Sequence, residues 1–184
     1  MTSTIDRAQR LRQAVTELIA ERGFHGASVA AVAARAGVAT GTAYVHYESK
    51  DELVMAAYVE IKRDLGRAAV SDDDLAAPPA DRFRRMWMGA YRHLEARPER
   101  ARFLLQAEVS PYARIYLDKH HDGSDDLSAA AATFGDLLVD LPPEVIFDLG
   151  FGPAIRLAAR SEPVDESTLE LVAAACRRAV TAGL

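Results

Sequence analysis

Residues 28–50 constrain the fold more than any other stretch, because they dictate two short helices joined by a turn that closes on a glycine. Val29, Val32, Ala33 and Ala36 recur at helical spacing, so a helix from Ser28 to Ala36 has a narrow apolar side that can press closely on a neighbour. Gly37 ends it where a left-handed backbone costs least. A second helix is predicted from Thr40 to Tyr47, yet Thr40-Gly41-Thr42-Ala43-Tyr44 contains no strong helix former except Ala43. Stability alone does not select those residues. Small side chains let the front of a helix approach a surface, and the Thr hydroxyls, the Tyr44 phenol, His46 and Lys50 offer donors to phosphate oxygens or base edges. A helix that reads a DNA groove has this character.

The flanking pattern completes a three-helix unit. Ile5, Ala8, Leu11, Val15, Leu18 and Ile19 repeat every three or four residues, Ser3 and Asp6 have capping-box spacing, and Gly23 closes a first helix running from Thr4 to Arg22. Phe24, Val38 and Tyr47 are the natural core plugs. Ser49 and Glu52 form another capping box, opening a fourth helix through Arg67. The acidic, proline-bearing stretch from Val70 to Pro79 marks entry to a second region, and its Asp72-Asp73-Asp74 run reads as solvated. Helices are then expected from Phe83 to Leu94, from Pro98, from Tyr112 to Lys119, from Leu127 to Val139, from Glu144 to Arg160 and from Asp165 to Ala182. Gly150-Phe151-Gly152-Pro153 should kink the penultimate one or open its ladder.

Charge sharpens the reading. The chain of 184 residues carries a net charge of −5, but its first 50 residues hold six basic side chains against four acidic, a net of +2, and the remainder holds −7. Local rather than total charge decides where DNA docks. No apolar run reaches the roughly 18 residues of a membrane span. The amino terminus lacks the basic start and apolar stretch of a secretory signal, so no membrane partner and a cytoplasmic location are expected. Cys176 is the single cysteine, which fits a reducing compartment, and it reads as a small buried residue of the last helix.

Several linked motifs resemble one family. Gly23-Phe24 with Ser28 five residues after the glycine, Gly37-Val38, Gly41-Thr42-Ala43-Tyr44-Val45-His46-Tyr47, and Ser49-Lys50-Asp51-Glu52-Leu53 resemble the amino-terminal DNA-binding domain of the TetR family of bacterial transcriptional regulators. The likeness covers about the first fifty-five residues. It implies an all-α protein of about nine helices, with a helix-turn-helix domain at 1–48 and a helical ligand-binding and dimerisation domain at 49–184. The function implied is that of a sequence-specific DNA-binding regulator, a repressor by family habit, whose operator affinity is changed by a small apolar or aromatic ligand. One departure is Ala39, where the family often has Ser or Thr. Either Thr40 caps the second helix of the motif or that helix starts uncapped, an effect of about 1 kcal/mol.

By this resemblance Thr40, Gly41 and Thr42 face bases, Tyr44 binds phosphate, and His46 either meets the DNA backbone or packs on the fourth helix. From the residues themselves, Ser28 is a helix cap or a phosphate contact, Lys50 should neutralise a phosphate, and Arg35 is a weaker candidate. In the second region Phe83, Met86, Trp87, Tyr91, Phe103, Leu104, Tyr112, Tyr116, Phe134, Phe147 and Phe151 each suit ordinary core packing, and collectively suggest an apolar cavity with a few polar tips. The family's dimer interface, carried over, falls on Gly152, Ala154, Ala158, Leu169, Val172, Ala173, Cys176 and Val180, with packing inside one chain as the other reading. A two-fold homodimer implies an approximately palindromic operator in double-stranded DNA, with half-sites about 34 to 36 Å apart or a multiple of that.

Two other classes compete. His93, Asp118, His120, His121 and Asp122 are the residues an acid–base or metal site would use, but adjacent His120 and His121 point about 100° apart on a helix. No metalloprotease, nucleophile-elbow or phosphate-loop motif accompanies them, so no catalytic residue, metal or cofactor is assigned. The alternative is a helical ligand- or protein-binding module of the same fold that does not read DNA.

Overall fold

The computed structural model describes residues 4–112, 114–115 and 126–182. Ser3, Tyr116, Asp118, His120, His121, Asp122 and the expected breaker at 123–125 lie outside them. Among the described residues are ten α-helices, one 3-10 turn and no strand beyond a single antiparallel bridge between Leu138 and Thr181. The protein is all-α. Backbone contacts divide the described residues into two compact units, one within Met1–Lys62 and Arg102–Lys119, the other within Arg63–Ala101 and His120–Leu184.

The first unit begins with α1 (Thr4–Gly26), whose helical dihedrals break at Gly23 with φ 71 and ψ 177. Only glycine reaches that region without strain, so the helix proper ends there. Ser28 caps α2 (Val29–Ala36) by accepting the Ala31 amide at 3.2 Å. Gly37 closes α2 at φ 66, with its own N–H bonded to the Ala34 carbonyl at 3.2 Å and the Val38 N–H to the Ala33 carbonyl at 3.0 Å. Those two bonds are a Schellman closure, which satisfies carbonyls that a helix end leaves open. Then α3 (Thr40–His46) runs to Tyr47 and packs on α1 and α2. Leu11, Val15, Leu18, Ile19, Val32 and Ala33 fill the interior with Leu53, Val54 and Tyr58 of α4 (Lys50–Val70). The second capping box forms as its spacing requires, the Glu52 amide bonding to Ser49 Oγ at 3.1 Å and the Glu52 carboxylate accepting the Glu48 amide at 2.6 Å. Of the expected plugs Tyr47 is buried, while Phe24 and Val38 are half-buried.

The second unit is organised on α5 (Pro79–Glu95), whose inner stripe of Phe83, Met86, Trp87, Ala90, Tyr91 and Leu94 is buried. Pro98 opens α6 (Pro98–Glu108), which contributes to both units. The helix expected from Leu127 to Val139 is shorter, α7 (Asp126–Ala132). Thr133 folds its hydroxyl onto the Ala130 carbonyl at 2.6 Å, and a 3-10 turn opens at Gly135, whose φ is 51. The run from Glu144 to Arg160 is two helices, α8 (Pro143–Gly150) and α9 (Gly152–Ala158), parted at Phe151. Asp165 caps α10 (Glu166–Val180), and α9 and α10 both pack on α5.

Asp73 departs from the solvated reading of its acidic run. Both its oxygens accept from Arg82, at 2.9 and 2.7 Å, and Arg82 also donates to Thr133 Oγ1 at 2.7 Å and lies 4.7 Å over the Phe134 ring. Arg82 is 5% exposed. Its charge is accommodated inside because a carboxylate, a hydroxyl and an aromatic face lie against the guanidinium.

Candidate nucleic-acid interface

Only one residue of α3 turns fully inward. Ala43 is 1% exposed, whereas Tyr44 is 54% and Val45 81% exposed. Thr40 and Gly41 are exposed too, and Thr42 and His46 are half-buried. Residues 41, 44 and 45 therefore make one outward helical face at three- and four-residue spacing. A Cβ at Gly41 would meet nothing within 4 Å, so no neighbour in the chain requires glycine there. Glycine nonetheless costs a helix about 1 kcal/mol relative to alanine. The start of α3 carries a further cost, since Ala39 occupies the cap position and makes no side-chain hydrogen bond. Of the two openings left by the Ala39 departure, the uncapped one is found.

The two tyrosines of the motif separate cleanly. Tyr47 is buried and its hydroxyl accepts from Arg12 Nη1 at 2.8 Å, while Arg12 also pairs with Glu60. Tyr44 points the other way and makes no hydrogen bond among the described residues. Ser28 serves as the structural cap, which leaves its hydroxyl proton free to be donated outward. The His46 ring lies 6.4 Å from that of Tyr47.

The basic candidates are more committed than the sequence suggests. Arg35 forks onto Glu21 at 2.9 and 2.8 Å and reaches Glu17 at 3.2 Å. These bonds raise the guanidinium pKa, and the Arg35 bond lowers that of Glu21. Its charge is matched inside the chain before any phosphate arrives. Lys50 donates to the Phe24 carbonyl and ties the start of α4 to the turn after α1. Two of its three ammonium protons stay available.

Val45 adds to this face a residue that is absent from the candidate contacts expected from the sequence. Its signal is its phase: it stands four residues after Gly41, on the outward face, where an apolar side chain has no interior to enter.

The family model described as "Bacterial regulatory proteins, tetR family" matches residues 11–57, the segment that holds this face. An uncharacterized HTH-type transcriptional regulator of Haemophilus influenzae is 27% identical over 160 residues, covering 87% of this chain and 86% of that protein. The crystal structure of a TetR-family transcriptional regulator from Haemophilus influenzae superposes with a TM-score of 0.77 at 26% identity, covering 97% of this chain and 98% of that one. Residues 11–57 thus match the DNA-binding segment of TetR-family regulators, and the chain is similar in fold to a solved member along nearly its whole length. The proteins it is similar to over most of its length are transcriptional regulators, and TetR-family regulators bind DNA. A fatty acid metabolism regulator protein of Bacillus subtilis is 31% identical over 71 residues, which is 34% of this chain and 37% of that protein.

The candidate ligand residues do not form one set. Phe103, Leu104 and Tyr112 belong to the first unit, where Phe103 and Leu104 are buried and the Tyr112 hydroxyl donates to Asp51 at 2.5 Å. Burial, and then that bond to Asp51, push the Tyr112 phenol pKa up. In the second unit Phe83, Met86, Trp87, Tyr91, Phe134 and Phe151 are buried and Phe147 is half-buried. The Trp87 and Tyr91 rings stack at 5.9 Å, and Phe151 meets Phe83 at 5.8 Å and Phe147 at 6.0 Å. These are packed interiors. Trp87 Nε1 is buried beside the Cys176 sulfur, a weak acceptor, and has no hydrogen bond of good geometry. Burial pushes the Cys176 thiol up.

The residues carried over for a dimer interface need the same correction. Gly152, Ala154, Ala158, Leu169, Ala173, Cys176 and Val180 are buried within the single chain, and Val172 is half-buried. Their stripes are the faces of α9 and α10 that α5 covers, so they are core of one protomer. The apolar residues left outside nearby are Leu149, 42% exposed on α8, and Leu171, 71% exposed on α10. His93 is half-buried on α5, its pKa lowered by burial. Among the described residues no three His, Cys, Asp or Glu side chains gather as metal ligands, and no helix is long and apolar enough to cross a membrane.

Proposed function

We propose that the protein is a cytoplasmic, homodimeric repressor that reads an approximately palindromic operator with α3 and releases or tightens on it when a small apolar or aromatic effector binds. Residues 1–48 are the reading part and 49–184 the regulatory part, and the protein is not an enzyme. The observation that carries this reading is the outward face of α3. Gly41 has no packing reason, Ala39 provides no cap, and Tyr44 and Val45 are exposed with no partner. Such a face is explained by a surface outside the chain that approaches closely. Thr40 and Thr42 would contact base edges, Val45 a thymine methyl, and Tyr44, Ser28 and Lys50 phosphate oxygens.

The effector would sit in the second unit near Trp87, whose buried N–H lacks a good acceptor. The partial likeness to a fatty acid metabolism regulator supports an apolar effector. A second copy would pack on the outer faces of α8 and α10, around Leu149 and Leu171.

The matched pairing of Arg35 with Glu17 and Glu21 favours one other reading, a helical ligand- or protein-binding module. Selection of bound sequences from a random duplex pool at about physiological salt separates the two, because unspecific phosphate binding is suppressed there. A recovered palindrome supports the regulator, and Tyr44→Phe should then weaken its retention without unfolding the chain. Recovery of no specific sequence from folded protein, with and without candidate effectors, favours the module.

A further inference from the structure

Three basic residues around the helix-turn-helix are already engaged. Arg12 pairs with Glu60 and donates to the Tyr47 hydroxyl, Arg35 forks onto Glu21 and reaches Glu17, and Lys50 donates to the Phe24 carbonyl. Arg10 of α1 differs. It makes no hydrogen bond among the described residues, and the carboxylate paired with it, Asp6, stands 3.9 Å from its Nε, beyond bonding distance. The Nε atom is enclosed by the chain, so the stem is held, while the side chain as a whole stays 39% exposed. What reaches out is the Nη1 and Nη2 end.

That end lies beside the turn of the motif. Nη1 stands 3.7 Å from the point where a Cβ would sit at Gly37. From Gly37 the exposed residues continue through Ala39 and Thr40 to Gly41, where the outward face of α3 begins. Four residues span at most about 14 Å, and the major groove that would take α3 is about 12 Å wide. A duplex seated on that face brings a phosphate-bearing rim of the groove within reach of Arg10. A guanidinium offers parallel N–H donors of the geometry that phosphate oxygens accept. A stem already held also loses less freedom on contact than a free surface arginine does.

We propose that Arg10 is a phosphate contact, its Nη1 and Nη2 clasping a backbone oxygen at the rim of the groove that α3 enters. The inference rests on the reading of α3 as the DNA-contacting helix, and adds to it a cation from α1 that fixes the register of the motif without choosing sequence. Asp6, which faces the same guanidinium, opposes the incoming phosphate.

The test is the salt dependence of binding to the duplex selected from the random pool and to a scrambled duplex of equal length, read by fluorescence anisotropy with the full chain. Arg10→Ala should weaken both duplexes by a similar factor of roughly fivefold at about physiological salt, and lower the slope of log affinity against log salt by about 0.9 for each chain bound. Arg10→Lys keeps the charge and should keep the slope. Asp6→Asn should tighten both duplexes, and this variant decides the matter if Arg10→Ala does not fold. A wild-type slope in folded Arg10→Ala, a loss confined to the selected duplex, or no tightening in Asp6→Asn overturns the proposal, and Tyr44→Phe still weakening the selected duplex would then leave the reading of α3 standing. Failure to select any duplex removes that reading and this contact with it.

Discussion

Helices α3 and α10 are both short carriers of a motif, and they are built by opposite rules. Asp165 caps α10, accepting the Thr168 amide at 2.9 Å, and Leu169, Ala173, Cys176 and Val180 bury a continuous stripe. The start of α3 is uncapped, and its one fully buried residue is Ala43. The first helix is selected for holding the protein together. The second accepts a local loss of stability at the cap and at Gly41, and its outward residues do nothing for the fold. Where a sequence makes choices that the chain's own packing does not reward, the reward lies outside the chain.

The largest test of this contrast removes a residue of the interior that α10 helps to enclose. Trp87→Ala should lower unfolding stability by about 4 kcal/mol in urea titration, because a fully buried indole leaves a cavity. A loss below about 1 kcal/mol would mean that the body is as loosely held as α3. Next, Ala39→Ser should restore the missing cap and stabilise the protein by about 1 kcal/mol. Gly41→Ala should add about 0.5 to 1 kcal/mol, since its Cβ meets open space, and at the same time weaken retention of the selected operator duplex. A variant that is stabler and binds as well would remove the reason offered for the glycine.

The smallest effect concerns acid. Hydrogen bonds from Ser167, then from Thr168, hold the Asp165 carboxyl pKa down at about 2. A pKa depressed by folding contributes stability that is complete above the unfolded value of roughly 4 and is lost as pH falls through the folded one. Between about pH 4 and pH 2 the wild type should therefore lose stability that Asp165→Asn does not lose, as read by thermal melts across that range.

Much of the backbone was legible because its signals are local. Gly23, Ser28, Gly37, Ser49 with Glu52, Pro98 and the Gly150–Pro153 break each act within about one helical turn, and the structure places boundaries at all of them. The outward direction of Tyr44 and the inward direction of Tyr47 follow from helical phase. What was not legible is pairing across distance. Nothing in the spacing says that Arg35 returns to Glu17 and Glu21, that Lys50 is taken by the Phe24 carbonyl, or that Asp73 of an acidic loop goes inside with Arg82. The apolar stripe of α10 was visible, but a stripe does not state whether its cover is another helix of the same chain or a second copy. Here α5 covers it.

Gly89 lies where α5 passes the end of α4, and a Cβ there would stand 2.6 Å from the Ala68 carbonyl oxygen, a backbone atom that has no rotamer to yield. Position 89 is thus a dead end for drift: every replacement, however conservative on paper, starts from a collision. The crossing and the missing side chain are one and the same requirement.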